Sequence, residues 1–188
     1  MSIRSGKGDE GFTDLPFQRV INKDSAEIRA LGDLDELLSY LGMVKCKIKS
    51  RKDKDLLENI QRAVSVIASE ISVPPDKKKK LGMLLGKEHT DWIKKTAYKL
   101  EQKAKINNCF QLPGDGELSA FFDITRAVAR RAERSTVNLL RKDKAANKNI
   151  LTYLNCVSDI LFILARSKAK GGSEKKNVKS KKKRKEKG

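Results

Sequence analysis

From Ala26 onward, apolar residues recur every three to four positions, and the recurrence breaks only at short polar stretches. Leu31, Leu34, Leu38 and Leu41 make one stripe along 26–48, and Ser25 or Asp24 can cap its start. A basic connection, 49–54, leads to a second stripe over 56–73 through Leu57, Ile60, Val64, Ile67 and Ile71. Pro74-Pro75 stops it, and Lys77–Lys80 reads as an exposed connector. A third helix is predicted over 87–105 with Trp92, Ile93 and Leu100 inward, followed by a loop over 107–116 containing Leu-Pro-Gly. The fourth and fifth helices cover 117–141 and 149–166. No period-two alternation is visible, so no strands are expected. The pattern predicts an all-α, up-and-down five-helix bundle.

The last two helices differ in kind. The fifth is apolar in nearly every direction, through Leu151, Leu154, Val157 and the run Ile160 to Leu164, so it reads as buried all round. Only Asn155, Asp159 and Arg166 form a narrow polar strip on it, and buried groups of that kind need partners. The fourth helix carries Arg126, Arg130 and Arg134 at i, i+4 and i+8 on one face. Phe121, Thr125, Val128, Ala132 and Leu139 form its core stripe. Like charges at that spacing repel by about a few tenths of a kcal/mol per pair. The face is either solvated or turned toward an anion or a carboxylate, and arginine's planar fork suits the second task.

Residues 1–24 lack a helical period. Ser5-Gly-Lys-Gly-Asp-Glu-Gly-Phe-Thr13 sets glycines beside Lys7, with Lys23 downstream, so backbone N–H groups could turn toward a phosphate. The loop fits neither the Walker A nor the dinucleotide spacing. Charge changes the picture at the other end. Of the net +18, the segment 167–188 carries +9, from eleven Lys/Arg and two Glu. With a single aliphatic side chain beyond alanine, Val178, it reads as a disordered tail. Non-specific polyanion contact through the tail, or a non-catalytic polyanion-binding module, is the competing functional class. The chain thus divides into an N-terminal loop (1–24), a helical bundle (25–166) and a Lys-rich tail (167–188). Three scattered cysteines and one histidine, His89, expected at the surface, argue against a disulfide framework or a protein metal site. No signal core or membrane span is read, which points to the cytoplasm.

In order along residues 3–166, five segments resemble the trimeric five-helix ATP:cob(I)alamin adenosyltransferases. The first is Ser5 to Thr13, matching T-x-x-G-D-x-G-x-T. Gly32-Asp-Leu-Asp-Glu-Leu37 and the turn Phe110-Gln-Leu-Pro-Gly114 follow. Arg126-Ala-Val-Ala-Arg-Arg-Ala-Glu-Arg134 and Tyr153-Leu-Asn-Cys-Val-Ser-Asp-Ile-Leu-Phe162 complete the set. The resemblance implies an ATP site in which Ser5, Gly6, Lys7, Gly8, Thr13, Asp14 and Lys23 wrap the triphosphate. Arg130, Arg131, Ala132, Glu133 and Arg134 would hold phosphates and nucleoside, with Asn155 beside them. It also implies a homotrimer whose site is shared by adjacent subunits, with Asp35 pairing Arg126 across the interface and Phe110 against the lower face of the corrin.

The implied chemistry uses no protein nucleophile. Co(I) of cob(I)alamin, the co-substrate, attacks C5′ of ATP and expels triphosphate, with Mg²⁺ carried by ATP and no metal held by the protein. A cobalamin reductase and an adenosylcobalamin-dependent enzyme are implied partners. Four departures from the family pattern stand out: Cys156 in place of an arginine, Pro113-Gly-Asp-Gly for Pro-Gly-Gly, Pro16-Phe17 for Gly-Gly, and Lys7 for Thr.

Overall fold

A computed structural model describes residues 8–17, 19–104, 106, 111–141 and 146–169. Five helices form the body: α1 (Ala26–Lys47), α2 (Arg51–Ile71), α3 (Lys87–Ala104), α4 (Glu117–Leu140) and α5 (Lys148–Ser167). Helix α4 packs between α1 and α5, α2 lies along α1, and α3 flanks α5. The core runs through Leu34, Leu37, Leu41, Ile60, Val64, Ile67, Phe122, Leu154, Val157 and Leu161, all at zero exposure. Most of these lie on the stripes that the period identifies; Leu37 and Phe122 are core residues beside them, and Leu31, Leu38, Phe121 and Leu139, expected on the stripes, are only half-buried.

The N-terminal segment corrects the expectation of no strands. Phe12–Leu15 (β1) pairs antiparallel with Arg19–Asn22 (β2), with Phe12 opposite Asn22 and Leu15 opposite Arg19. Each strand has only four residues, too few for alternation to stand out, although Thr13, Val20 and Ile21 are β-branched. A lone hairpin is marginal in water, so its anchors matter. The Arg19 guanidinium holds both Glu27 oxygens at 2.9 Å and the Ser72 carbonyl at 3.3 Å, tying the ribbon to α1 and to the end of α2. At the turn, Phe17 has φ +64°, a left-handed conformation that costs a side-chain-bearing residue about 1–2 kcal/mol. This is one of the places where the sequence departs from a Gly-Gly pattern, and Lys80 Nζ sits 5.7 Å from the Phe17 ring centre.

Helix starts follow their caps. Ser25 accepts from Ile28 N–H (3.3 Å), deciding between the two candidate caps of α1. Ser50 accepts from Asp53 N–H (3.3 Å), so α2 starts at Arg51 rather than 56, taking in most of the basic stretch expected to be a connector. The Arg51–Asp55 pair at 2.9 Å supports that added turn. Pro75–Lys80 forms a 3-10 segment. Asn147 caps α5 by accepting from Asn149 N–H (3.1 Å). Its amide also donates to Glu70 (3.0 Å) and to the Leu85 carbonyl (2.8 Å), while Leu85 N–H donates to Glu70 (3.1 Å). The 1% exposed Glu70 carboxylate is thereby satisfied, joining α2, the linker before α3, and α5.

Three further burial expectations are corrected. Trp92 is 38% exposed, because α3 touches the bundle along one narrow face that Ile93 already fills. His89 is half-buried, accepting from Gly86 N–H at 3.1 Å at the head of α3. On α5, Asn155, Asp159 and Phe162 are exposed, so the helix is buried on most sides but not all. Among the described residues, α5 is the one helix long and apolar enough to cross a bilayer, yet two thirds of that window lies inside the bundle. At its end, Lys168 Nζ bonds Asp53 at 2.7 Å, which places 167–169 with the bundle; the rest of the Lys-rich tail lies outside the described residues.

Candidate active site

The polar strip of α5 and the arginine face of α4 meet in a cleft of about 680 Å³ that α3 closes from the side. Arg126 and Arg130 come from α4, Ser158, Asp159, Phe162 and Ile163 from α5, and Ala97, Glu101 and Gln102 from α3, with Ile106 just beyond it. Arg126 is half-buried, and its Nε is buried with no hydrogen-bond partner. A desolvated guanidinium donor left unpaired is costly; of the two arginines with such an Nε among the described residues, Arg126 and Arg166, only Arg126 lines the cleft. Arg130 and Arg134 are exposed on the same helix face.

Asp159 stands opposite Arg130. Partial burial in the cleft raises its carboxyl above the ordinary aspartate range; Arg130 pulls it back down, and Glu101 pushes it up. Two carboxylates and two arginines thus share one wall, with no ion pair joining them among the described residues. Cys156 is buried, its thiol raised by burial first and by Asp159 second, so it faces the core rather than the cleft. Burial likewise raises the Tyr153 hydroxyl far above its ordinary value.

Arg131 turns the other way. It reaches across to α1, bonding Asp33 at 3.3 Å and Glu36. Those two carboxylates hold its guanidinium more firmly protonated, with the Glu36 hydrogen bond the largest cause. Ala132 is fully buried beneath this stretch of α4, and Glu133 is half-buried. Asp35 is exposed on α1, and no ion pair joins it to Arg126 within one chain.

Just beyond the cleft lining at Phe162, a second pair is enclosed. Arg166 pairs with Asp123, with side-chain exposures of 5% and 7%, and also reaches the Gln111 side chain (3.5 Å) and the Leu112 carbonyl (3.4 Å). Gly114 N–H donates to the same Asp123 oxygen at 3.3 Å. Sequence reasoning missed Asp123, Ser158 and Phe162. The available signal was position: Asp123 lies one turn before Arg126, and Phe162 one turn after Ser158.

The hairpin brings together a second group. Lys23 Nζ bonds the Gly8 carbonyl at 2.5 Å, and a Cβ on Gly8 would lie 2.9 Å from that nitrogen, so a side chain there would displace the lysine head. Gly11 takes φ +84°, and its carbonyl accepts from Lys23 N–H at 2.9 Å. Thr13 is half-buried and Asp14 exposed on β1. No hydrogen bond or ion pair links Gly8, Thr13, Asp14 or Lys23 to the arginines of α4. None of these four residues lines the arginine cleft. Ser5, Gly6, Lys7 and Phe110 lie outside the described residues.

Comparison with known proteins fits this arrangement. The cobalamin adenosyltransferase family profile matches residues 3–168. A cobalamin adenosyltransferase of Cupriavidus metallidurans is 34% identical over 175 residues, spanning 92% of this chain and 91% of its own. A corrinoid adenosyltransferase of Homo sapiens is 31% identical over 186 residues, covering 93% of this chain and 72% of its own. Among solved structures, a variant PduO-type ATP:corrinoid adenosyltransferase of Lactobacillus reuteri, complexed with cobalamin and ATP, superimposes with a TM-score of 0.80. It is 27% identical and covers 88% of this chain and 92% of its own. The chain belongs to the cobalamin adenosyltransferase family and is an enzyme of that type.

Proposed function

We propose that the protein transfers the 5′-deoxyadenosyl group of ATP to the cobalt of cob(I)alamin, at a site completed between adjacent subunits of a homotrimer. The buried, unpartnered Arg126 Nε beside Arg130 is the observation that carries this reading. One chain supplies the phosphate-binding hairpin in one place and the arginine cleft in another, and a second copy is the simplest way to bring them together. Asp35, exposed on α1, is the carboxylate that would meet Arg126 from the neighbour.

In the reaction, the cobalt–carbon bond forms as the C5′–O5′ bond breaks. The electron pair leaves with triphosphate, and Co(I) becomes Co(III). The protein's task is to position the reactants and stabilise the charge leaving on triphosphate. Gly8, Thr13, Asp14 and Lys23, with Ser5, Gly6 and Lys7 before them, would wrap the phosphates, and Mg²⁺ would arrive with ATP. Arg130, Arg134 and Asn155 would take the remaining phosphate and nucleoside contacts. Arg131 would act from its position between Asp33 and Glu36, along the rim formed with Glu133 and the backbone at Ala132. The apolar side of the cleft, through Phe162 and Ile163, would face the corrin along with Phe110.

The test is anaerobic incubation of purified protein with cob(I)alamin, a strong reductant and Mg·ATP. A light-sensitive adenosylated corrinoid and free triphosphate are expected, from a protein that elutes as a trimer. Absence of both products overturns the reading. Truncation after residue 169, which keeps the Lys168–Asp53 contact, is expected to leave turnover intact. Lost turnover, or a salt-sensitive loss of nucleic-acid binding as the main effect, would favour the polyanion-binding alternative.

A further inference from the structure

The Arg166–Asp123 pair is placed where no contact with ATP is needed, yet it is the most completely enclosed ion pair of the described residues. Its connections all run to one segment. Arg166 Nη1 reaches Gln111 Oε1 and the Leu112 carbonyl, Nη2 reaches Asp123, and the Asp123 carboxylate accepts from Gly114 N–H. The turn itself needs glycine, with φ +94° at Gly114 and +107° at Gly116, and Gly116 N–H closes back on the Gly114 carbonyl at 2.9 Å. Such a turn has little packing of its own: Leu112 is 75% exposed. Arg166 and Asp123 bond three of the four residues 111–114 to α4 and α5.

The same guanidinium lies 5.6 Å from the centre of the Phe162 ring, which lines the cleft. One side chain thus ties the turn to the apolar part of the cleft wall. Along α5, Arg166 is seven residues from Asp159, about 10 Å at ~1.5 Å per residue, and Asp159 faces Arg130. The pair lies just beyond the cleft lining at Phe162, away from the phosphate-binding arginines.

We infer that Arg166 and Asp123 are positioning residues for the corrinoid: they fix the 111–114 turn and the Phe162 ring as one surface for the flat, largely apolar macrocycle, and take no part in ATP binding. This rests on the adenosyltransferase reading. It predicts a separable effect. In the double variant Asp123→Asn, Arg166→Leu, both charges go together, so neither is left buried alone and the bundle is retained.

The experiment titrates wild type and the double variant with cob(II)alamin in the presence of Mg·ATP, following the corrinoid absorbance. ATP KM, helical circular dichroism and oligomer size are measured in parallel. Corrinoid affinity is expected to fall about tenfold, equivalent to ~1.4 kcal/mol, with ATP KM unchanged within about twofold. Arg166→Lys, which keeps the charge but cannot fork to three acceptors, is expected to fall between wild type and the double variant. Should the double variant not fold, Gln111→Ala, a half-buried position on the turn, is expected to weaken corrinoid binding in the same direction by about twofold. Unchanged corrinoid affinity in a folded variant, or an equal loss for ATP, overturns the inference. A wild-type protein that binds no corrinoid overturns the functional reading itself, and the positioning role with it.

Discussion

Two arginine–aspartate pairs stand between α4 and α5, one bonded and enclosed just beyond the cleft lining at Phe162, the other facing across the cleft unbonded. In the first, Arg166 and Asp123 are almost fully enclosed and share their remaining bonds with a turn. In the second, Arg130 and Asp159 face each other without pairing, and Arg126 nearby holds a buried Nε with no acceptor. Enclosure with a bonded counter-charge fixes geometry, even though Arg166 Nε is as buried and unpartnered as Arg126 Nε; partial exposure with unpaired charges leaves capacity for a ligand. The contrast locates the recognition surface better than any one residue does.

The largest effect is expected from breaking the enclosed pair on one side only. Asp123→Ala leaves Arg166 buried without its counter-charge and should cost about 3–5 kcal/mol of stability in a denaturant melt. A loss below about 1 kcal/mol would show that the pair is solvated and that the contrast between the two pairs is weaker than drawn. At the unbonded pair the expectation reverses. Arg130→Ala should leave the melt and the oligomer unchanged while lowering adenosylation by roughly 10²–10³-fold, the scale for losing one donor aimed at developing charge. Retained turnover would remove Arg130 from the phosphate site.

Asp159 offers a smaller, pH-dependent test. Its carboxyl is raised in the folded state, chiefly by desolvation, so the folded protein holds the proton more tightly than the unfolded chain does. Between the ordinary aspartate value and the raised one, stability therefore falls as pH rises. Asp159→Asn should melt higher than wild type at pH 7, with the gain disappearing as pH drops through that window. A gain that persists at low pH would trace to packing instead. The smallest effect is expected from Arg131→Ala, which removes a largely exposed contact with Asp33 and Glu36 and should cost under about 1 kcal/mol.

Legibility from sequence followed the strength of the local signal. The five helices and the arginine face could be read because the 3.6-residue period repeats over several turns in each. The hairpin could not, since four-residue strands carry too short an alternation and gain their stability from Arg19 reaching Glu27 and Ser72, a contact across 53 residues. The start of α2 was misplaced because a charged first turn carries no apolar stripe, although Ser50 was present as a cap. Within the site, the arginines, Asn155 and Asp159 were visible as polar residues on helix faces. Phe162 was hidden among its apolar neighbours, and only the position of α3 leaves it uncovered.

By itself, then, the sequence determined the helices, their inward stripes, the glycine-rich opening and the arginine face with the family motifs upon it. Those follow from periodicity, caps and residue chemistry, all of which act over a few positions. Only the tertiary structure decided which arginines are already spent and which remain available. Arg131 and Arg166 are bonded to carboxylates on other helices, whereas Arg126 and Arg130 line a cleft whose carboxylates, Asp159 and Glu101, form no ion pair with them. Sequence spacing sets the direction of a side chain, but whether a partner lies there depends on how the helices pack.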